Sequence, residues 1–591
     1  MKQLVQNGVL VPEPPSPHGL VIMVRGEPMK LTPIQEEMAL AWAKKQDTPY
    51  VEDPVFVRNF LRDFSEALGV TPALSVEEVD FAPVVDVVLA EREAKARLTK
   101  EERKAQAAAR KAQREKLREI YGHATVDGER VELANYTVEP SGIFMGRGKH
   151  PLRGRWKEGA KQRDITLNLS PDAPRPPGDW KEIIWEPDAL WVARWKDKLS
   201  EKMKYVWLSD TALVKQVREA QKFDEAAELH AELERVRAHI EQGLRDPDPK
   251  RRMIATACYL IDALCLRVGD EKDPDEADTV GATTLRPEHV TLHPDGTAEF
   301  RFYGKDFVRW HKKLELPESV RQNLAELSRA ARPPNSGNRG NNRKKHPTRD
   351  KPQLFPDIGS REVSAYLSEV LPGLTAKVFR THHATEIVRS SLKASDVKAS
   401  DPEYEKRKAA TLANLQAAIL CNHTKNAPSN WSTRREKLKE RPRKAEERVQ
   451  RYRLQVKEHT EALAALRQEA REKKVRASGA RRKRLEASYQ KKIEQAKRRI
   501  ETAKARLQKT KDARNKFKAQ TIIATQTRTW NLSTSLKSYI DPRVYYQWGQ
   551  QVEYDVLERF YPKKLRQKFA WVKERSQDTV DGLESKKKEP P

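Results

Sequence analysis

Residues 431–520 constrain the fold more than any other part of this chain. They contain 32 Lys and Arg residues against 12 Asp and Glu residues, with a single proline, Pro442, and a single glycine, Gly479. A segment so polar cannot build a globular core, but its scarcity of Gly and Pro permits long helices. Apolar residues recur every three to four positions on both sides of the sequence ASGA (477–480), which is the spacing of a coiled-coil seam.

The two apolar series predict two helical arms that pack against each other. Because a small-residue turn separates arms of similar length, we expect an antiparallel helical hairpin whose arms extend about 45 Å. Both ends of such a hairpin return to the same place, so it can connect a C-terminal domain to the main body. The predicted seam residues are Val449, Tyr452, Val456, His459, Leu463, Leu466, Leu485, Tyr489, Ile493, Ala496, Ile500, Ala503 and Leu507.

The net charge favours a polyanionic partner. The formal charge of the chain is +28, and residues 431–520 supply +20 of it. Charge of this size and sign indicates nucleic acid before other partners, although a very soluble or ribosome-like basic protein would have a similar composition. At 591 residues the chain is long enough for about four domains.

Cysteine usage and hydropathy limit the compartment. Cys258, Cys265 and Cys421 are too few for a disulfide framework and match no zinc-binding spacing. The N-terminal sequence has no apolar signal core, and no stretch approaches about eighteen apolar residues. We therefore expect an intracellular protein that is neither secreted nor membrane-spanning.

The rest of the chain alternates between β-rich and helical segments. Residues 1 to about 90 are expected to form short strands and two amphipathic helices that begin at Pro, and a charged, solvated helical run follows to residue 120. Residues 130–210 are typical of strands and loops. Residues 211–430 are mainly helical, with three short strands in 288–316, and the Asn- and Lys/Arg-rich segment 332–352 is typical of a surface insertion.

The candidate nucleophile is Tyr539, in the sequence TSLKSYIDPR (534–543). Taken alone, this tyrosine is more typical of a small domain's core. A tyrosine that attacks a phosphodiester needs cations around the non-bridging oxygens and an acid for the departing oxygen. Arg suits the first role because its planar fork pairs with phosphate and keeps its proton.

Four upstream residues stand in settings that would hold them in place. Arg267 follows an apolar helix, just before Gly269, which is expected to cap that helix. Lys305 lies at the apex of a predicted hairpin. Arg380 lies on an apolar helical turn, and His423 follows a helix predicted to be buried. Each of these residues, taken singly, is more often structural.

Together, in this order and with a charged helical hairpin before the tyrosine, these residues resemble the eukaryotic-type (type IB) DNA topoisomerases. The similarity covers the chain from about residue 10 to about residue 571. The segments that carry it are GEPMKLTPIQEE (26–37), EPSGIFMGRGKHPLRGRW (139–156), LRVGDEK (266–272), GKDFVRW (304–310), LTAKVFRTHHAT (374–385), AILCNH (418–423) and TSLKSYIDPR.

The resemblance implies an α+β fold organised as a bilobed DNA clamp. Its expected parts are a β-containing N-terminal lobe at 1–212, with a cap subdomain at about 20–102, and a mainly helical, tyrosine-recombinase-like catalytic core at 213–430. A basic coiled-coil linker at 431–521 and a small helical C-terminal domain at 522–591 would complete it.

The resemblance also implies a reaction. Tyr539 would attack a phosphodiester and form a 3′-phosphotyrosine bond, while Arg267, Arg380 and His423 bind the non-bridging oxygens. Lys305 would protonate the departing 5′-oxygen. The free strand then rotates and is rejoined without ATP, a metal or any other cofactor.

The implied partner is double-stranded DNA, bound by a monomer associated with the chromosome. The residues expected to contact DNA are Arg147, Lys149, His150 and Asp306.

The sequence departs from the family pattern at several points. Ser538 stands where the family commonly has Asn, so the sensitivity to camptothecin-like poisons, to which Arg147 and Asp306 also contribute, is in question. THHAT replaces a Tyr-Asn pair after Arg380, and 332–352 resembles an addition. The long charged N-terminal extension of nuclear members is absent, which suggests an archaeal or minimal relative. Its location would then be the cytoplasm or nucleoid, and for a eukaryotic member the nucleus.

Two alternatives stay open at this point. A tyrosine recombinase or integrase shares the Arg/Lys/Arg/His/Tyr chemistry, but it would lack the clamp segments and the charged hairpin. A non-enzymatic, basic chromosome-binding protein would share the charge but would not break DNA.

Overall fold

The computed structural model describes residues 1–270, 278–331 and 351–573. These residues form helices and small, mostly antiparallel sheets, which confirms the α+β class. They divide into a first unit of residues 1–379 and 567–573 and a second unit of residues 380–566. Most of the predicted insertion at 332–352 lies outside the described residues. In the described ranges, no helix has the length and apolar character needed to cross a membrane.

The first 210 residues of the first unit contain four small sheets. The strands are β1 (Leu4–Gln6), β2 (Val21–Val24), β3 (Glu27–Lys30), β4 (Val79–Asp80), β5 (His123–Val126), β6 (Glu129–Glu132), β7 (Gly142–Ile143), β8 (Trp156–Lys157), β9 (Ile165–Asn168), β10 (Glu182–Ile184), β11 (Trp191–Lys196) and β12 (Met203–Trp207). Their orders are β1-β5-β6, β3-β2-β4, β7-β8 and β10-β9-β11-β12, and only β9 and β10 pair in parallel.

Four helices accompany these sheets: α1 (Pro33–Ala43), α2 (Pro54–Leu68), α3 (Ala82–Arg97) and α4 (Lys100–Tyr121). The first two begin at Pro as predicted, since Pro has no N–H to leave unpaired in a first turn. The charged run forms two helices instead of one, because Thr99 and Glu102 make a reciprocal capping box that starts α4. None of the residues of α4 is buried, which confirms the solvated helix.

The remainder of the first unit packs helices against a three-stranded antiparallel sheet. The core side chains Leu260, Phe300 and Phe355 are fully buried there. The sheet confirms the three predicted strands. The elements are α5 (Leu213–Gly243), α6 (Pro249–Leu264), β13 (Val290–Leu292), β14 (Thr297–Gly304), β15 (Val308–Glu315), α7 (Glu318–Ala330) and α8 (Ser360–Ser368).

From residue 376 onward the described chain is helical. The helices are α9 (Ala376–Ala394), α10 (Glu403–Leu420), α11 (Trp431–Val475), α12 (Gly479–Gln526), α13 (Leu532–Ser538), α14 (Pro542–Gln551), α15 (Val556–Arg559) and α16 (Lys563–Lys568).

Helices α11 and α12 form a hairpin and run antiparallel. Near the open end, Arg514 Nη1 lies 3.0 Å from Glu446 Oε2, and near the turn Lys474 Nζ lies 2.7 Å from Glu486 Oε1. Every predicted seam residue is buried or half-buried, and none is exposed. The 3–4 periodicity therefore identified the packed face of both arms.

The base of this hairpin contains a proline inside a helix. Pro442 lies inside α11 and has no N–H to donate to the carbonyl of Leu438, four residues earlier. The hydroxyl of Thr521 on α12 lies 3.0 Å from that carbonyl and 2.9 Å from Phe517 O in its own helix, so its one proton is shared between two acceptors. The Leu438 carbonyl, which the proline leaves without its helical donor, thus has a hydroxyl of the other helix within hydrogen-bonding distance.

Candidate active site

Three of the predicted catalytic side chains meet in the second unit. The guanidinium carbon of Arg380 lies 5.0 Å from the centre of the Tyr539 ring, and the His423 ring centre lies 5.4 Å from it. Arg380 Nη2 and His423 Nε2 are 3.4 Å apart. Residues from α9, from the end of α10 and from the end of α13 therefore surround one small volume.

The end of α10 sets the position of His423. Asn422 takes a left-handed conformation with φ 54°, which turns the chain out of the helix. The His423 N–H donates to Ala418 O at 2.8 Å, and the His423 carbonyl accepts the Asn531 N–H at 2.7 Å. These two bonds fix the backbone of His423 to α10 and to the segment that precedes the tyrosine.

The imidazole of His423 is held from its far side by Ser535. Nδ1 lies 2.8 Å from the Ser535 hydroxyl oxygen, and Ser535 is fully buried. A hydroxyl can donate or accept, so it can partner Nδ1 in either protonation state. His423 therefore keeps this hydrogen bond when a proton stands on Nε2, the nitrogen beside Arg380.

Tyr539 ends α13 and is held by its backbone. Its N–H donates to Ser535 O at 3.0 Å. The hydroxyl of Thr385, on α9, lies 3.4 Å from the Tyr539 carbonyl and accepts the Asp541 N–H at 3.1 Å. Asp541 then caps α14. Thr385, five residues after Arg380, thus joins the helix that carries the arginine to the turn that carries the tyrosine.

Arg380 is almost fully buried, with 3% of its surface exposed. Nη2 donates to the Cys421 carbonyl at 2.9 Å, whereas Nε is buried and has no hydrogen-bond partner within the described residues. A buried guanidinium N–H without a partner is costly. The bond to the Cys421 carbonyl therefore orients a charged guanidinium beside His423 and Tyr539.

Arg267 lies in the first unit, and the sequence interpretation of its surroundings is wrong in one respect. The C-cap of α6 is Cys265, in the left-handed region at φ 53°, and not Gly269. Gly269 has another use: a Cβ there would lie 2.6 Å from the Cα of Gly281. The Arg267 carbonyl accepts the Ala282 N–H at 2.9 Å. This hydrogen bond and the close approach of Gly269 and Gly281 hold the backbone at Arg267, which is itself exposed.

Lys305 is exposed at the apex of the β14–β15 hairpin, where Gly304 pairs with Val308. Asp306 and Phe307 both have positive φ, of 64° and 59°. This turn places Lys305 at the exposed end of the β14–β15 pair.

The predicted DNA contacts lie around the same turn. Arg147 forms an ion pair with Asp306, although both side chains are more than half exposed, so the pair contributes little stability. Gly148 packs on the ring of Phe307, where a Cβ would lie 2.1 Å from Cγ.

Arg147, His150 and Asp306 line a cavity of about 780 Å³. Lys157 and Lys204 line it as well, which the sequence did not indicate. Lys149 is exposed.

The described structure thus brings Arg380, His423 and Tyr539 together in one unit and Arg147 and Asp306 together in the other. Ser535 and Thr385 are the partners that sequence reasoning missed. Ser535 lies four residues before Tyr539, so its closeness to the tyrosine could have been predicted, whereas its contact with His423 could not.

Three family models match consecutive parts of the chain. "Eukaryotic DNA topoisomerase I, DNA binding fragment" matches residues 1–208, and "Eukaryotic DNA topoisomerase I, catalytic core" matches residues 211–456. "C-terminal topoisomerase domain" matches residues 511–580.

Curated relatives are similar over nearly the whole chain. DNA topoisomerase 1 beta of Arabidopsis thaliana is 32% identical over 580 residues, which is 97% of this chain and 58% of the relative. DNA topoisomerase I, mitochondrial, of Homo sapiens is 30% identical over 586 residues, which is 97% of this chain and 90% of the relative. The chain therefore spans less than two thirds of the plant protein and most of the human mitochondrial one.

Proposed function

The chain belongs to the eukaryotic DNA topoisomerase I family, and we propose that it relaxes supercoiled double-stranded DNA by breaking and rejoining one strand at a time. The convergence of Arg380, His423 and Tyr539 is the observation that carries this proposal. A tyrosine ring beside a guanidinium and an imidazole supplies three of the groups that phosphoryl transfer to tyrosine requires.

In the cleavage step, the Tyr539 phenol loses its proton to solvent as its oxygen attacks the phosphorus, and the bond to the 5′-oxygen breaks. The strand is left with a 3′-phosphotyrosine and a 5′-hydroxyl. Arg380 donates to a non-bridging oxygen through its guanidinium, which lies beside the Tyr539 ring, and His423 donates through Nε2. Removal of one such donor costs about 10²–10³ in rate.

Arg267 and Lys305 complete the reaction in this proposal. Arg267 is a further donor to the non-bridging oxygens, and its exposure leaves its fork open to a phosphate. Lys305 protonates the departing 5′-oxygen, a role that an arginine would serve poorly because it keeps its proton. Rejoining reverses both steps, without ATP, a metal or another cofactor.

The DNA contacts are proposed to be mainly to phosphates. Arg147, Lys149 and His150 belong to the DNA-facing N-terminal lobe at 1–212, and Asp306 belongs to the catalytic core at 213–430. The two lobes are proposed to close around the duplex as a clamp. The basic hairpin is proposed to be the coiled-coil linker at 431–521 that slows rotation of the downstream duplex, joined to a C-terminal domain at 522–591. A net charge of +20 in residues 431–520 supports attraction to DNA and predicts a steep loss of binding with salt.

We further propose that the protein acts as a monomer on the chromosome. The absence of site preference and of exchange between duplexes would distinguish it from a recombinase. A basic chromosome-binding protein without enzymatic activity would leave plasmid topology unchanged.

Plasmid relaxation tests the proposal directly. The unmodified protein is expected to relax positive and negative supercoils in EDTA without ATP. Tyr539→Phe should bind DNA and relax nothing, whereas Tyr546→Phe, which removes the same hydroxyl from a half-buried tyrosine on α14, should stay active. Failure of the unmodified protein to relax DNA would rule the proposal out.

A further inference from the structure

The base of the helical hairpin contains a cavity that no step of the proposed reaction uses. Its volume is about 690 Å³, within the range of small-molecule sites. One face each of α10, α11 and α12 lines it, so its walls come from three helices of the second unit.

Five cationic side chains line this cavity. Arg434, Lys437 and Arg441 recur at helical spacing on α11, Arg407 comes from α10 and Lys516 from α12. All five are exposed, and none forms an ion pair with any carboxylate in the part of the chain that is described.

Cations elsewhere on the hairpin are often paired with acidic residues. Lys444 lies 2.7 Å from Glu440, and Lys474 lies 2.7 Å from Glu486. The acidic residue that lines the cavity, Glu403, is itself paired with Arg559. The cavity therefore carries an uncompensated positive charge, which is the requirement for binding an anion.

The remaining walls are less polar. Ala519 is buried, and Leu438 and Ile523 are half-buried, so apolar side chains lie below the exposed cations. Tyr404 adds an aromatic wall from α10. A concave site with a cationic mouth suits a compact ligand, whereas a DNA duplex needs a surface that is open along its length.

We propose that this cavity binds a compact anion with two or more linked phosphate groups. The guanidinium forks of Arg407, Arg434 and Arg441 pair with phosphate oxygens, and the lysines add point charges. The ligand would bridge α10 to both arms of the hairpin. This site is independent of the proposed strand-breaking reaction.

Calorimetric titration of the full chain with inorganic tripolyphosphate, in the absence of DNA, tests the site. One ligand per chain is expected. The triple variant Arg434→Gln, Lys437→Gln, Arg441→Gln should bind it at least about tenfold more weakly. The matched control is Arg481→Gln, Lys483→Gln, Arg484→Gln, which removes the same charge from exposed positions of α12 near the turn and should bind as the unmodified chain does.

Single variants on the other two helices provide a second measurement. Arg407→Gln and Lys516→Gln should each weaken binding, because the ligand contacts all three helices. Equal weakening in the two triple variants, or no saturable binding, would overturn the proposal.

Two further titrations identify the ligand. ATP that binds as tripolyphosphate does would show that the phosphate chain is sufficient, and tighter binding would show that an aromatic body also contributes. If the triple variant Arg434→Gln, Lys437→Gln, Arg441→Gln binds a short DNA duplex less well but binds tripolyphosphate as the unmodified chain does, the cavity is a DNA contact. The proposal is then wrong. Plasmid relaxation by the same variants is a separate readout, which reports the strand-breaking reaction and not the binding of tripolyphosphate.

Discussion

His423 and Ser535, which lie 112 residues apart in the chain, are joined by a 2.8 Å contact between Nδ1 and the serine hydroxyl. Replacement of this hydroxyl should affect the chemical step more than folding. Ser535→Ala leaves Nδ1 without its partner, so His423 is less well oriented, and the cleavage rate should fall about 2- to 10-fold.

Single-turnover cleavage of a short duplex measures this effect. DNA binding should be unchanged, because Ser535 is buried behind the histidine. Ser533→Ala, at an exposed position on the same helix, is the control and should cleave normally. A Ser535→Ala protein with an unchanged cleavage rate would show that the contact does not position His423.

Gly281→Ala should disturb the segment that carries Arg267. A Cβ at Gly281 would lie 2.5 Å from the Cα of Gly269, and backbone cannot move aside as a flexible side chain can. We expect a loss of about 1–3 kcal/mol in stability and a fall of about tenfold or more in relaxation rate.

Thermal unfolding and plasmid relaxation measure the two effects. Gly142→Ala is the control, since a Cβ there has no neighbour within 4 Å. If Gly281→Ala were as stable and as active as Gly142→Ala, the close glycine contact would not be required.

The stability that the Thr521 hydroxyl contributes at the base of the hairpin should depend on Pro442. Thr521→Val removes the hydroxyl that reaches both Leu438 O on α11 and Phe517 O on α12, and local stability should fall by about 1 kcal/mol. In a Pro442→Ala background, residue 442 can donate to Leu438 O itself, so the same change should cost less.

Hydrogen exchange of the amides at the base of α11 reports this local stability. Thr510→Val is the control, because its hydroxyl donates only within α12, to Arg506 O at 2.8 Å. If Thr521→Val lowered the local stability equally in the unmodified chain and in the Pro442→Ala variant, the role of Thr521 would not depend on the proline.

His289 should make the first unit sensitive to acid. Burial, with Arg286 nearby, lowers the pKa of His289 from 6.5 to about 4, and Nδ1 accepts the Arg286 N–H at 3.2 Å. The unfolded chain binds the proton first as the pH falls. The contribution of His289 to the free energy of unfolding therefore has its full value above about pH 6.5. It falls by about 3 kcal/mol as the pH drops to about 4.

His289→Asn lacks this titration, and its Oδ1, which takes the place of Nδ1, can still accept the Arg286 N–H. Comparison of the urea midpoints of the two proteins at about pH 7 and about pH 4.5 isolates the contribution of His289. The unmodified protein should lose more stability than the variant; parallel losses would show that His289 does not titrate in this way.

The sequence predicted those features that depend on local periodicity. The hairpin seam, the two helices that begin at Pro and the Lys305 hairpin follow from spacing and turn residues within one element. The cap of α6 was mistaken because Gly269 serves a contact with Gly281, twelve residues later, and not the helix end.

Contacts between distant segments were not predictable. No local pattern pairs Ser535 with His423 or Thr521 with Leu438, since each pair depends on how helices pack. The cationic cavity at the hairpin base is of the same kind: its five cations were visible in the sequence only as part of a solvated, basic run.

The central claim is that Tyr539 forms the covalent link to DNA. The most direct measurement is to denature the reaction with an end-labelled duplex, digest the protein and identify the peptide and the DNA end that remain joined. A peptide containing Tyr539 on the 3′-phosphate of the nicked strand is the predicted result, and a link through another residue or to a 5′-phosphate would contradict it.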